Sequence, residues 1–245
     1  LFPEIDKQKI QSLDLSVESS FTGHVSDIEN IDLMTYRFSQ LQKQVPKSVI
    51  AGGYLEARSF YSTDAYKVES NQGFEYRTIH LGIDFWVPVH TAVAALFDGF
   101  VFSVHNNDNE KDYGPTVILK HEYKKGKFFY TLYGHLSKDC LIKIKEGQKI
   151  KSGDIIAKTG ENNENGGWIP HLHFQIILHM LGHVNNYPGV CRPSEIAIWS
   201  SVCPDPNLLF KLADLNPKNQ KSNEELIHYR KQHIGKGLSL QYKVP

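Results

Sequence analysis

Long apolar runs and an excess of one charge are both missing from this 245-residue chain. No apolar stretch approaches the roughly 20 residues that a membrane-spanning helix needs. The 27 basic and 27 acidic side chains cancel, so the composition offers no electrostatic footprint for nucleic acid or for an anionic membrane surface. The composition therefore predicts neither a nucleic-acid partner nor a membrane span.

Cysteine is scarce too, with Cys140, Cys191 and Cys203 as the three residues of this type. An odd number without close spacing argues against a disulfide framework and favours a reducing compartment. The same wide spacing argues against a zinc–thiolate site, which uses close pairs. The first residues, LFPEIDKQKI, show neither an initiator methionine nor a signal-peptide pattern. We therefore expect a cytoplasmic location, although the periplasm and the extracellular space stay open.

Methionine is scarce as well, with 2 copies against 13 phenylalanines and 12 tyrosines. This balance suits a rigid β-rich core. Short β-type runs separated by glycine-containing turns fill residues 51–212. The predicted strands are His80–Val87, Phe100–His105, Thr116–His121, Phe128–His135, Ile155–Lys158 and His171–Leu178. Many short strands without long helical periods predict a mainly β fold built on an antiparallel sheet or barrel.

The N-terminal part, residues 1–50, is polar and is predicted to be an extension that contains one helix. Apolar residues recur at helical spacing over 26–45. Ser26 or Asp27 could cap this helix, and Pro46 would end it.

The C-terminal part, residues 213–245, is polar as well. Ser222 and Glu225 form a capping box, which predicts a short linker helix followed by an extended tail. The predicted organisation is therefore an N-terminal extension over 1–50, a β-rich domain over 51–212, and a C-terminal linker helix with a tail over 213–245.

Two short motifs place histidine and aspartate side chains on strand faces. In GGWIPHLHFQI, His171 and His173 are two residues apart and so point to the same face. In HLGIDFWVP, His80, Gly82 and Asp84 lie at alternating positions, so on a strand the side chains of His80 and Asp84 share one face. A plain His–Asp hydrogen bond would explain the second motif taken alone. Together with one imidazole of the HLH pair, however, it makes a His₂Asp set that suits Zn²⁺ and leaves one tetrahedral position for water.

Hydrolysis at such a site also needs a group that takes the proton of the attacking water. His135 in TLYGHLS ends a predicted strand, and the spare imidazole of the HLH pair is the alternative. The chain has no HExxH motif, which excludes the glutamate base of a zincin helix. Tyr133 and Trp168, each close to one of these histidines in sequence, are candidates for substrate contacts, and Trp168 could equally serve in packing.

The order HxGxD, YGHL, EGQKIKSGDIIAKTG and HLHF over residues 78–178 resembles the lysostaphin/LytM-type zinc endopeptidases, which cleave peptidoglycan cross-bridges. The resemblance implies an antiparallel sheet with a groove, short flanking helices and a peptide or peptidoglycan-like substrate. It also implies one zinc ion per chain held by His80, Asp84 and His173, with His135 and His171 as active-site histidines that do not bind the metal. GQKIKSGDIIAKTG resembles a biotinyl/lipoyl hairpin as well, but the MKM-like turn with its modifiable lysine is missing.

A narrower resemblance extends beyond this core. GGYLEARSFYSTDAY, CPDPNLL and IGKGLSLQYKVP resemble the middle segment of a fusion protein, with a kinase-like domain upstream and a PLP-dependent class III aminotransferase downstream. Such neighbours would suit a zinc hydrolase that processes a small peptide, amide or amine conjugate in the cytoplasm. A binding module that keeps the fold without turnover is the other hypothesis. The complete set of histidine and aspartate positions favours the enzyme.

Overall fold

The computed structural model describes residues 1–5, 9–19, 21–22, 25–46, 48–61, 64–70, 73–212 and 215. Its strands are β1 Lys9–Ser12, β2 Ser48–Gly52, β3 Lys67–Ser70, β4 Gly73–Tyr76, β5 Ile79–His80, β6 Ile83–Trp86, β7 Ala92–Ala94, β8 Gly99–Asn107, β9 Gly114–Lys124, β10 Lys127–Gly134, β11 Lys149–Ile150, β12 Ile155–Lys158, β13 Leu172–Ile177 and β14 Val190–Cys191. Its α-helices are α1 Val25–Glu29, α2 Ile31–Gln44, α3 Asp139–Lys143, α4 Ile196–Val202 and α5 Asn207–Phe210. The linker helix predicted around Ser222 lies outside the described residues.

Eight of these strands form one sheet in the order β1-β2-β6-β13-β10-β9-β8-β11. Every neighbouring pair is antiparallel except β1 with β2, which are parallel. The prediction of a mainly β fold with an antiparallel sheet is therefore confirmed. The register aligns Gly52, Asp84, His173 and Gly134 across four adjacent strands. This row brings two of the predicted metal ligands next to each other.

The middle of the sheet is buried on both faces. Val117, Ile118 and Leu119 on β9 are all fully buried, and alternate residues pack into separate apolar clusters, Val117 and Leu119 into one and Ile118 into the other. Phe174 on β13 joins the cluster that holds Val117. Each such side chain contributes about 1.5–3 kcal/mol through burial. A sheet fixed in this way from both sides gives the polar row a rigid support.

Two predicted β features differ in detail from the structure. The predicted strand His80–Val87 divides into β5 and β6, because β5 pairs with β14 whereas β6 pairs with β13. The bend falls at Gly82, where a Cβ would lie 2.6 Å from the imidazole of His173. The segment GQKIKSGDIIAKTG is also no hairpin, since its strand β11 pairs with β8 and its strand β12 pairs with β7.

The single helix predicted over 26–45 is two helices, α1 and α2, that meet at Asn30. The cap of α2 is Asn30, whose side chain accepts a hydrogen bond from the amide of Leu33 at 3.0 Å. Ser26 and Asp27, the predicted caps, both lie inside α1, and Asp27 forms an ion pair with Arg37. Helix α2 buries Met34 and Phe38 in an apolar cluster that also contains Trp86 of β6.

Residues upstream of the predicted boundary at 51 thus contribute strands β1 and β2 to the main sheet as well as these two helices. The domain limits themselves stay a prediction. None of the helices in the described part of the chain is long and apolar enough to span a membrane.

Candidate active site

Three buried side chains from neighbouring strands converge at the row described above. His80 ends β5, Asp84 lies on β6 and His173 lies on β13. His80 Nε2 is 2.9 Å from His173 Nδ1 and 3.3 Å from Asp84 Oδ1. His173 Nδ1 is 3.1 Å from the same carboxylate oxygen. All three side chains are at most 2% exposed, so bulk water does not separate these atoms.

In His80 and His173, the ring nitrogen that points away from the triad determines which nitrogen carries a lone pair in the neutral imidazole. His80 Nδ1 lies 2.8 Å from the carbonyl oxygen of Gly53, which can only accept, so Nδ1–H donates. His173 Nε2 donates in the same way to Gln175 Oε1 at 3.0 Å. The amide of Gln175 is oriented because its Nε2 donates to the carbonyl of Pro188 at 3.1 Å. In the neutral rings, His80 Nε2 and His173 Nδ1 therefore carry the lone pairs, and these two atoms face each other.

Three lone-pair atoms within 3.3 Å of one another repel unless a cation lies among them. A tetrahedral zinc ion binds N and O ligands at about 2.0–2.2 Å, which places those ligands roughly 3.3 Å apart. Burial, followed by the charge of Arg58, lowers the pKa of His80 to about 4, so this imidazole is neutral and ready to bind a metal at pH 7. The residues present fit a zinc ion.

Arg58 holds the other oxygen of the carboxylate and was given no role by the sequence analysis. Its Nη1 lies 2.7 Å from Asp84 Oδ2, and its Nε lies 2.7 Å from Glu56 Oε2. Burial alone would raise the pKa of Asp84, but its interactions with His80 and with the guanidinium of Arg58 hold it well below the usual range. Asp84 therefore stays ionised, with Oδ1 free to face the imidazoles. Arg58 precedes both metal-ligand motifs and has no spacing relation to them that would have revealed it.

His135 and His171 lie beside this triad, with ring centroids 4.2 Å apart. His135 Nδ1–H donates to the carbonyl of Asn165 at 2.8 Å, and His171 Nδ1–H donates to that of Ile169 at 2.6 Å. Each ring therefore presents an unprotonated Nε2. His171 Nε2 is 3.8 Å from Asp84 Oδ1. The two histidines are thus paired next to the triad without being part of it.

The electrostatic environment keeps both of these histidines neutral. Burial, followed by the neighbouring imidazoles, holds the pKa of His135 well below its usual range, and burial also lowers the pKa of His171. His135 has a φ of 61°, a strained conformation for a residue other than glycine. Backbone hydrogen bonds to Tyr113 and from Gly160 fix it there. A neutral imidazole beside a metal site can accept a proton from water.

The two aromatic candidates for substrate contact lie in different places. Trp168 lines the cavity over the triad, and its backbone amide donates to Asn165 Oδ1 at 2.9 Å. Tyr133 is fully buried in the core, packs on Phe174 with ring centroids 5.3 Å apart and accepts a hydrogen bond from the amide of Leu96. Tyr133 points away from the cavity because Gly134, the next residue, occupies the row of the site. The expectation that Tyr133 contacts substrate is therefore corrected.

A metal-ready His₂Asp triad with two neutral histidines beside it is the composition of a hydrolytic metal centre. Residues 78–186 match the model of peptidase family M23. The peptidoglycan DD-endopeptidase ShyA of Vibrio cholerae is 35% identical over 123 residues, which are 50% of this chain and 24% of that protein. An uncharacterized metalloprotease of Haemophilus influenzae is 36% identical over 107 residues, 44% of this chain and 20% of that protein.

Among solved structures, a zinc-containing peptidase from Vibrio cholerae is 32% identical and aligns with 40% of this chain and 27% of that chain, at a TM-score of 0.33. The comparisons together support a peptidase M23 domain in this chain. The match spans about a quarter or less of the length of the curated relatives. The comparisons do not show the kinase-like and aminotransferase neighbours, and they lend no support to a cytoplasmic location.

Proposed function

We propose that this protein is a zinc-dependent peptidase that hydrolyses a peptide or amide bond with an activated water molecule. The observation that carries the proposal is the convergence of three lone-pair atoms from His80, Asp84 and His173 within 3.3 Å. Such a set needs a cation and leaves a coordination position open. The name of the Vibrio relative supports a peptide of the peptidoglycan type as the substrate.

The residues divide into two roles. His80, Asp84 and His173 would hold the metal, and a bound zinc ion would supply the Lewis acid that activates water and polarises the scissile carbonyl. His171 or its neighbour His135 accepts the proton of the attacking water at Nε2. The same histidine pair then passes that proton to the leaving nitrogen, as general acid–base catalysis requires. Burial of both imidazoles keeps them neutral, and therefore able to begin as bases, at pH 7.

A second candidate function is the processing of a small amide within a larger protein that also contains kinase-like and aminotransferase domains. The residues that α1 and α2 contribute to the wall of the cavity favour it, since they precede the M23-like segment that begins at residue 78. A non-catalytic zinc-binding module is the remaining alternative. It conflicts with the two neutral histidines, which a purely structural zinc site does not require. The fusion context and the domain limits 1–50, 51–212 and 213–245 are proposals on the same footing.

The test measures the metal and the reaction separately. Purified protein should bind about one zinc ion per chain, and it should hydrolyse at least one member of a panel of glycyl peptides, D-amino-acid cross-links and small amides. His135→Ala should retain the zinc and lose hydrolysis by about 10²-fold or more. The exposed histidine of β8 provides the control, His105→Ala, which should change neither quantity. Protein that takes up no zinc, or an active His135→Ala variant, contradicts the proposal.

A further inference from the structure

A cavity of about 590 Å³ lies over the triad, and its two sides differ in chemistry. One side consists of the polar residues of the site. The other is an apolar wall, defined here as Ile28, Ile31, Met34, Phe60, Tyr61 and Trp86. All of these wall residues except Trp86 precede residue 78, where the similarity to family M23 begins. The wall is therefore built mainly by a part of the chain that the family match does not include.

Aromatic contacts connect the apolar wall directly to the reacting groups. Trp86 stacks on His171, with centroids 5.9 Å apart and an interplanar angle of 28°. Phe60 and Tyr61 contact the ring of Trp168 edge-on at 6.0 and 6.1 Å. A ligand group on the wall would thus lie beside the bond that reacts, and not at a remote end of the cavity.

The charged side chains of the cavity balance and are largely engaged. Arg58 pairs with Glu56 and Asp84. Lys111 donates to the carbonyl of Gly167 at 2.9 Å. Arg77, Glu110, Lys111 and Asp112 at the cavity add two charges of each sign. The side chains of the apolar wall are uncharged, and the guanidinium nearest to them, that of Arg58 at 5.7 Å from the ring centroid of Phe60, is already paired with Glu56 and Asp84. The wall therefore favours an uncharged group.

We propose, on the basis of the hydrolase function above, that the substrate carries a bulky, uncharged aromatic or branched aliphatic group next to the scissile amide. The apolar wall receives this group. The space is ample, because a cavity of about 150 Å³ lined by apolar side chains already accommodates benzene. Glycyl and D-alanyl cross-links carry no group of that size and would leave the wall uncovered. The upstream segment therefore sets the substrate class.

The experiment uses hydroxamates as zinc-binding probes and measures their affinities for the zinc-loaded protein by calorimetry. Phenylacetohydroxamate should bind about 10- to 100-fold more tightly than acetohydroxamate, because it buries a phenyl ring. A para-carboxylate on the same ring should remove most of that gain, since a charge on the apolar wall has no partner. Equal affinities of the phenyl and methyl probes would overturn the proposal.

A variant that fills the space in front of the apolar wall tests the proposal against a matched control on the same helix. Ile31→Trp should reduce the affinity ratio to about 1, because the indole would occupy the space that the phenyl ring takes. Tyr36→Trp, at a position on the same helix that is 61% exposed, should keep the full ratio. If Ile31→Trp does not fold, Ile28→Trp tests the same wall. A ratio that persists in the filled variant overturns this inference alone, whereas failure to bind zinc or acetohydroxamate overturns the proposed hydrolase.

Discussion

The segment that matches family M23 and the segment that precedes it contribute to one site in different ways. Residues 78–186 supply all five histidine and aspartate side chains of the site. The described part of residues 1–77 supplies none of the candidate metal ligands, yet the carbonyl of Gly53 orients His80, and Arg58 holds Asp84. The comparison teaches that the similar segment supplies the candidate site groups and itself orients three of them, whereas the orientation of His80 and Asp84 depends on residues outside it.

The connection between the two segments is a chain of charge-assisted hydrogen bonds. The amide of Leu15 donates to Glu56 at 2.9 Å, Glu56 accepts from Arg58, and Arg58 donates to Asp84. Outer-shell partners of this kind fix the orientation of metal ligands, and their loss typically lowers metal affinity 10- to 100-fold. The upstream segment therefore acts on the metal site through Asp84 as well as on the substrate through the apolar wall.

The largest effect on zinc binding and stability is expected at Asp84, the residue of the M23-like segment that Arg58 of the upstream segment contacts. Asp84→Ala removes a metal ligand and leaves the charge of Arg58 buried, with Glu56 as its remaining charged partner. We expect loss of the bound zinc and a fall of about 3–5 kcal/mol in the free energy of unfolding. Metal analysis and urea unfolding measure the two effects. Asp139→Ala removes the exposed ion pair with Lys143 and should change neither. Full zinc content in Asp84→Ala would show that the aspartate is no ligand.

The second effect is the acid sensitivity of the metal-free protein. Unfolded histidine binds a proton near pH 6.5, whereas folded His80 does so only at about 4. The unfolded state therefore binds more protons in this window, so this contribution to stability is complete above pH 6.5 and is lost as the pH falls towards 4. His80 alone should account for about 3 kcal/mol. Urea unfolding with a chelator present measures it. His80→Gln should flatten the dependence, and His105→Ala should not.

The sequence allowed the reacting groups to be predicted because local spacing determines them. HLH places its histidines at the start of β13 and YGHL places His135 at the end of β10, whereas HxGxD brings His80 and Asp84 together although a bend at Gly82 separates β5 from β6. Arg58 could not be found in the same way, because its role arises from a contact between residues distant in sequence, Arg58 with Asp84. The expectation for Tyr133 was wrong because strand alternation would place it on the same face as His135, whereas β10 ends at Gly134 and His135 leaves the strand with a φ of 61°.

Helix and strand limits show the same division between local and distant causes. Strand β12 agrees with its predicted bounds, Ile155–Lys158, because turn residues delimit it on both sides. The helix predicted over 26–45 is interrupted at Asn30, whose amide side chain caps α2. The periodic apolar pattern continues across Asn30. Spacing alone could not distinguish one helix from two.

The smallest expected effect comes from a pair of glycine variants, which distinguishes backbone strain from contact with the metal site. Gly53 and Gly73 both have a φ of +111°, so alanine at either position carries a similar backbone penalty of about 1–2 kcal/mol. At Gly53 the new Cβ would also lie 2.1 Å from Arg58 Nη2 and 2.9 Å from His80 Nδ1, whereas at Gly73 nothing lies within 4 Å. Gly53→Ala should therefore lower zinc affinity about 10- to 100-fold by displacing the partners of two ligands.

Gly73→Ala should carry a backbone penalty comparable to that of Gly53→Ala and leave zinc affinity unchanged. Titration of zinc against a competing chelator measures both variants, and thermal unfolding checks that their folded fractions match. Equal zinc affinities in the two variants would mean that the upstream segment packs on the metal site without orienting its ligands. A difference confined to Gly53→Ala would show that His80 and Asp84 depend on residues that precede the M23-like segment.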